Sequence, residues 1–208
     1  MKAMKRILLC ILMITVLGGV SIAGNSVVKS ETRTRENQRT SLTKEEQKEW
    51  YAPDPEVLDY YGLGEFRTTL PVIYLNTKGQ QVLKENVIMG NLAVLEANGK
   101  DQSIYSVPNS LHRAAIKYRG ASSYTQFDKK QYRIRFFKDQ KEKAKDVSLV
   151  GMGENSEWVL NGPYLDKTLI RNKLVYDLAR ELNGWAPDSR FVELFTDGKY
   201  QGVYLAVE

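Results

Sequence analysis

Apolar and polar residues alternate along several short stretches of this chain, which is the pattern of β-strands with one buried face. The alternation is clearest at residues 131–137, where aromatic and aliphatic side chains fall on one face and arginines on the other. The apolar face of this stretch comprises Tyr132, Ile134 and Phe136, and the cationic face comprises Arg133 and Arg135. One face is therefore predicted to lie in a core, while the other displays cations.

Further strands are predicted from short apolar runs that end in turn residues. These runs occupy residues 70–76, 88–96, 114–119 and 158–163. Two more, at residues 191–195 and 203–207, flank Asp197-Gly198 and predict an antiparallel hairpin. Most of the chain after residue 70 is thus expected to form one sheet.

A single long helix is predicted between these runs. Apolar residues recur there at helical spacing, at Leu169, Ile170, Leu174, Leu178 and Leu182. Asp166 is the expected N-cap, and Asn183-Gly184 ends the pattern. The order of elements predicts an α+β fold, an antiparallel sheet with one main helix packed on one face.

The first 23 residues have the pattern of an export segment. A basic start is followed by an apolar run from Ile7 to about Val20 and by the small residues Ser21-Ile22-Ala23. A cleaved signal peptide and an uncleaved membrane anchor both fit, because 17 mostly apolar residues are close to the lower limit for spanning a bilayer. Either reading predicts export, with membrane contact only through this segment. The sole cysteine, Cys10, lies inside it, so the exported part has no disulfide.

Composition divides the rest of the chain into three parts. Residues 24–49 are rich in polar and charged side chains and are predicted to be a disordered linker, because they have too little apolar surface to bury. Residues 50–69 contain aromatics and two prolines without clear periodicity, which suggests an irregular arm. Residues 70–208 are predicted to form the folded domain.

Charge and residue content exclude several functions. The formal net charge is +5, and three of those charges belong to the N-terminal segment, so nucleic acid is not expected as a partner. His112 is the only histidine, which leaves His-based metal sites and Ser-His-Asp triads almost without support. Gly151-Met152-Gly153 lacks the third glycine and the strand-helix context of a dinucleotide site.

One hairpin could bind phosphate. Residues 118–124 join two strands through Gly120 and two hydroxyls, and cations follow in the next strand. Phosphoryl transfer needs such a loop and a fixed cation, because it depends mainly on positioning and charge stabilisation. On the helix, Asp177 and Glu181 are four residues apart and share a face, so either could orient that cation. On this pattern alone, a solvated basic hairpin fits better.

Several segments together resemble the CotH family, the spore-coat-associated atypical protein kinases of bacteria. The segments that carry the resemblance are residues 70–75, 118–123, 129–136, 158–174, 186–194 and 198–205. They occur in the order that the family shows and cover roughly residues 70–208. The resemblance implies a fold similar to the N-terminal lobe of a protein kinase, with ATP and Mg²⁺ or another divalent metal as cofactors.

The resemblance also implies roles for individual residues. Glu208 would lie at the hinge that holds adenine, and Asp177 or Glu181 would orient the phosphate-facing cation. That cation would be Lys130 together with Arg133 or Arg135. The residues that would lie over the phosphates are Arg119, Ser122 and Ser123.

The family's catalytic aspartate and metal-binding acid are expected downstream of Glu208, so no catalytic or metal-binding residue is assigned here and this segment alone is expected to be inactive. The function implied is that of an exported protein kinase that transfers the γ-phosphate of ATP to Ser or Thr of coat or cell-surface proteins. A non-catalytic coat-binding or assembly module with the same fold is the main alternative. A carbohydrate-active wall protein is a third, based only on export and aromatic content.

Overall fold

The computed structural model describes residues 59, 62, 66–138 and 143–208. The predicted export segment and the predicted linker, residues 1–23 and 24–49, lie outside the described residues, as does most of the predicted arm. The described strands are β1 Arg67–Thr68, β2 Val72–Asn76, β3 Ile88–Leu95, β4 Gln102–Ser103, β5 Ser110–Arg119, β6 Gln131–Lys138, β7 Lys143–Ala144, β8 Val147–Ser148, β9 Glu154–Asn155, β10 Glu157–Asn161, β11 Ser189–Thr196 and β12 Lys199–Val207. The helices within these residues are α1, Ser122–Gln126, and α2, Arg171–Asn183.

Seven strands form a sheet that closes on itself. Their order is β10-β12-β11-β2-β3-β5-β6, and β6 pairs in turn with β10. Neighbours are antiparallel except for β11 and β2, which are parallel. Strand β7 extends from β6, while β1 with β4 and β8 with β9 form two-stranded ribbons. Closure leaves no open edge among the seven strands.

The interior of the closed sheet is the main core. Strand β6 contributes Tyr132, Ile134 and Phe136, all at most 3% exposed, and β10 contributes Trp158 and Leu160, which are fully buried. The predicted alternation along β6 is therefore confirmed. Burying each large apolar side chain contributes about 1.5–3 kcal/mol, so the closed interior supplies most of the driving force for folding.

A smaller apolar cluster lies on the outer face over β2, β3 and β11. Phe66 packs against it from the residues preceding β1, and the Tyr74 hydroxyl donates to the Ile104 carbonyl. Beside it, the buried carboxylate of Glu193 accepts hydrogen bonds from the Tyr200 hydroxyl at 2.5 Å and from Thr68 Oγ1 at 3.3 Å. These contacts fasten β1 to the sheet.

The predicted α+β fold, in which the main helix packs on the sheet, is wrong, as helix α2 shows. The helix is present, but none of its residues is buried. Leu174, Leu178 and Leu182 are 62%, 50% and 74% exposed, so the apolar stripe faces away from the sheet. The described chain is instead mostly β, with one helix longer than five residues. The closed sheet covers its own apolar face and needs no helix to do so, which is why the expected kinase-lobe arrangement is wrong.

No described helix is both long enough and apolar enough to cross a lipid bilayer. All described residues belong to one compact unit, residues 47–208.

Candidate functional site

Strands β5, β6 and β10 carry a group of charged side chains on the outer face of the closed sheet. Lys117 pairs with Arg133, and Arg135 pairs with both Ala115 and Glu157. Paired residues project from the same face of a sheet. Since the alternate residues of β6 fill the interior, this group points outwards.

These side chains line a groove of about 250 Å³. Its charged lining consists of Lys117, Arg133, Arg135 and Glu157. Its apolar lining consists of Val87, Ala115 and Phe137. Three cations against one carboxylate give the groove a net positive charge, and the apolar walls offer a surface for an uncharged group.

The arginines are held by Glu157. Arg133 donates from Nη2 and, at 3.2 Å, from Nε to Glu157 Oε2, while Arg135 Nε lies 3.5 Å from Oε1. The three side chains are 38–48% exposed, so solvent screens these ion pairs. The Arg135 guanidinium also lies 5.4 Å from the centre of the Phe137 ring. Among the described residues Lys117 has no ion-pair partner, which leaves its ammonium available to a ligand.

The predicted phosphate loop lies at one end of the β5–β6 hairpin. Gly120 has a φ of +103°, and a Cβ there would lie 2.1 Å from Ser123 Oγ. Glycine is therefore required for the Ser123 side chain to pack against the turn. Ser122 begins α1 and is exposed, and Arg119 Nη1 donates to Gln131 Oε1 at 2.9 Å. The assignment of these residues to phosphates stays a prediction.

Lys130 faces the loop rather than the groove. Its ammonium donates to the carbonyls of Tyr124 and Phe127, at 2.7 and 2.5 Å. The neighbouring Lys129 donates to the Val203 carbonyl at 2.7 Å and lies over the Tyr204 ring. Burial lowers the pKa of Lys129, an effect that Glu193 opposes. Arg133 and Arg135 thus lie in the groove with Lys117. Lys129 and Lys130 instead hold the loop in place through their hydrogen bonds to carbonyl groups.

The helix acids predicted to orient the cation have other surroundings. Asp177 forms an ion pair with Lys173 one turn earlier, and Glu181 is exposed. Among the described residues, the carboxylate that contacts both groove arginines is that of Glu157. Sequence reasoning missed Glu157 and Lys117. The inward positions of Trp158 and Leu160 were the available signal for Glu157, because they place it on the outer face.

The strand pairing relates the end of β12, which Glu208 follows, to the groove. Val159 of β10 pairs with Arg133 on one side and with Val207 on the other. Two strand spacings, about 10 Å, therefore separate the end of β12 from Arg133. Glu208 Oε2 accepts a hydrogen bond from the Asp188 amide at 3.1 Å, and the Asp188 carboxylate pairs with Arg180. These contacts hold Glu208 at the end of β12, and it does not line the groove; its assignment to the hinge stays a prediction.

Among the residues that the structure describes, no group of three His, Cys, Asp or Glu side chains could hold a metal ion.

Comparison with known proteins gives two matches. Residues 116–208 match the family described as CotH kinase protein. The inner spore coat protein H of Bacillus subtilis (strain 168) is 35% identical over 94 residues, which are 45% of this chain and 23% of that protein. The match thus spans about a quarter of the relative's length. The family match at residues 116–208 includes the groove strands β6 and β10, helix α2 and the β11–β12 hairpin. Residues 116–208 are thus similar to the CotH family.

Proposed function

We propose that this chain is part of an exported CotH-type protein kinase that transfers the γ-phosphate of ATP to Ser or Thr of coat or cell-surface proteins. The match of residues 116–208 to the family model supports the reaction class, and the name of the relative, an inner spore coat protein, supports the coat as location. Export rests on the leader pattern of residues 1–23. The observation that carries the proposal is the basic groove formed by Lys117, Arg133 and Arg135.

The groove suits the polyphosphate part of a nucleotide. Phosphoryl transfer depends on positioning and on neutralising charge, and arginine is suited to phosphate because its planar guanidinium can donate two parallel hydrogen bonds. At about 250 Å³ the groove is smaller than the roughly 300–1,000 Å³ of sites that enclose a whole small molecule. The base would extend across β10 towards Val207 and Glu208. In the described residues no acid cluster holds the divalent metal that accompanies ATP, so these residues contribute charge and position.

A second function, a non-catalytic coat-assembly module, is favoured by one observation. The apolar stripe of α2 faces outwards, with Leu174, Leu178 and Leu182 at least half exposed. Trp185, just after the helix, is 76% exposed. Exposed apolar patches of this kind are typical of protein interfaces.

Nucleotide binding by the chain tests the role of the groove. ATP should raise the melting temperature of the wild-type chain, because a ligand that binds only the folded state stabilises it. The double variant Arg133→Ala, Arg135→Ala should bind ATP at least about tenfold more weakly, by isothermal titration calorimetry. Arg113→Ala is the control for loss of one exposed cation, since Arg113 lies on β5 and does not line the groove. Equal affinities in all three proteins would remove the groove from the proposal.

Transfer itself is tested on the full protein that the gene encodes. Incubation with γ-labelled ATP and isolated coat proteins should label Ser or Thr. Binding of ATP without any transfer would favour the assembly module instead.

A further inference from the structure

Glu157 is the carboxylate of the groove, and it already occupies part of the cationic surface. Its two oxygens contact different arginines, with Oε2 on Arg133 and Oε1 near Arg135. A carboxylate held between two guanidinium groups stands where an anionic ligand would bind. The groove therefore contains its own competing anion.

The donors that Glu157 leaves unused are suited to a second anion. A guanidinium carries five N–H donors, and the only contact between Arg135 and Glu157 is a long one from Nε. The Lys117 ammonium has no ion-pair partner among the described residues. Both side chains line the same cavity as Glu157. A ligand that bound here would lie within a few ångströms of the carboxylate and would be repelled by it.

We propose that Glu157 is an internal counter-ion that a polyphosphate must displace from Arg133 and Arg135, so that it sets a lower limit on the charge of ligands that bind. This inference rests on the proposed function, because it names the ligand class and the selectivity of the same groove. A triphosphate carries several negative charges against the single charge of Glu157, so it competes for the arginines where a singly charged anion does not. The 38% exposure of Glu157 gives the side chain room to swing into solvent when it is displaced.

The variant Glu157→Gln tests this idea with inorganic tripolyphosphate as the probe. Removing the competing charge should tighten tripolyphosphate binding by about three- to tenfold at low salt, measured by isothermal titration calorimetry. The difference from the wild type should shrink at high salt, because screening weakens the repulsion. Glu157→Asp keeps the charge and should bind about as the wild type does.

Glu154→Gln is the matched control. Glu154 is an exposed carboxylate of β9, three residues away, and it does not line the groove. Its removal changes the net charge of the chain by the same amount. It should alter the affinity by less than about twofold, because long-range effects of exposed charges are screened. Melting temperatures of all variants verify that each one folds.

Several outcomes would overturn the inference. Weaker binding by Glu157→Gln would show that Glu157 positions the arginines for the ligand, and unchanged binding would show that it does not compete. Equal binding of poly-glutamate would show that the groove responds to charge and not to phosphate, and absence of tripolyphosphate binding by the wild type would remove the site. The proposed function fails separately. If tripolyphosphate binds as expected but the protein neither binds nor uses ATP, only the proposed kinase function is contradicted. If ATP binding depends on Arg133 and Arg135 but not on Glu157, only this inference is contradicted.

Discussion

Strand β6 and helix α2 both carry a clear apolar stripe, and the structure treats them in opposite ways. In β6 the stripe lies inside the closed sheet, where Ile134 and Phe136 are fully buried. In α2 the stripe faces outwards, where Leu178 is 50% exposed and Leu182 is 74% exposed. The polar face of the helix is turned to the domain, where Arg180 pairs with Asp188.

The difference shows what periodicity does and does not determine. A repeat of two or of 3.6 residues tells which side chains share a face. It does not tell what covers that face. In β6 the cover comes from the other strands of the closed sheet, including β10, which pairs with β6 along four residues. In α2 nothing among the described residues covers the stripe, so the helix contributes little apolar burial to this domain.

The largest expected effect compares one apolar residue from each element. Ile134→Ala should lower the free energy of unfolding by about 2–5 kcal/mol, because it leaves a cavity in the closed interior. Leu178→Ala on the helix stripe should change it by no more than about 0.5 kcal/mol, since the side chain is half exposed. Urea unfolding of the chain measures both. A loss of more than about 2 kcal/mol from Leu178→Ala would show that the stripe is covered after all.

The same contrast explains how much the sequence could predict. The β5–β6 hairpin and the outward positions of Arg133 and Arg135 follow from local alternation, and both are found in the structure. Closure of the sheet does not follow, because it depends on β6 pairing with β10 across more than 20 residues of chain. Glu157 becomes part of the site only through that pairing, whereas Lys117 joins the site within the β5–β6 hairpin, opposite Arg133. The orientation of α2 could not be predicted either, because it depends on contacts of its polar face.

A smaller effect is expected at glycines in the two regions. Gly90 lies in β3, where a Cβ would be 2.5 Å from the Asn76 carbonyl oxygen and 2.9 Å from Ile116 Cδ1. Gly90→Ala should therefore destabilise the chain by about 1–3 kcal/mol through overpacking.

Gly184, at the end of α2, is the control for this experiment. It has a φ of +71°, and a Cβ added there would meet no atom within 4 Å, so only backbone strain opposes a side chain. Gly184→Ala should cost about 1 kcal/mol. Thermal unfolding distinguishes the two variants. A greater loss at Gly184 than at Gly90 would contradict the view that the sheet is the tightly packed region and the helix the loosely attached one.

The smallest expected effect concerns the start of α2. Asp166, the predicted N-cap, lies five residues before Arg171, the first helical residue. Its carboxylate accepts hydrogen bonds from the Thr168 amide, the Thr168 hydroxyl and the Arg171 amide. The Thr168 hydroxyl is the main reason that the pKa of Asp166 is lowered, with the two amides and the Arg171 charge adding to it against desolvation.

The sign of the resulting pH effect follows from that lowered pKa. A carboxyl whose pKa is lower in the folded state adds stability above its unfolded pKa, about 3.9, and loses it as the pH falls through the folded value. The wild type should therefore have a higher free energy of unfolding than Asp166→Asn near neutral pH, and this difference should shrink below about pH 4. Other acids titrate in the same range in both proteins, so the difference isolates Asp166. The Arg171 amide resonance, followed by NMR between about pH 2 and 6, should move in the wild type and stay fixed in the variant. If both proteins behaved alike, α2 would have to be held by something other than the polar contacts that replace burial along this helix.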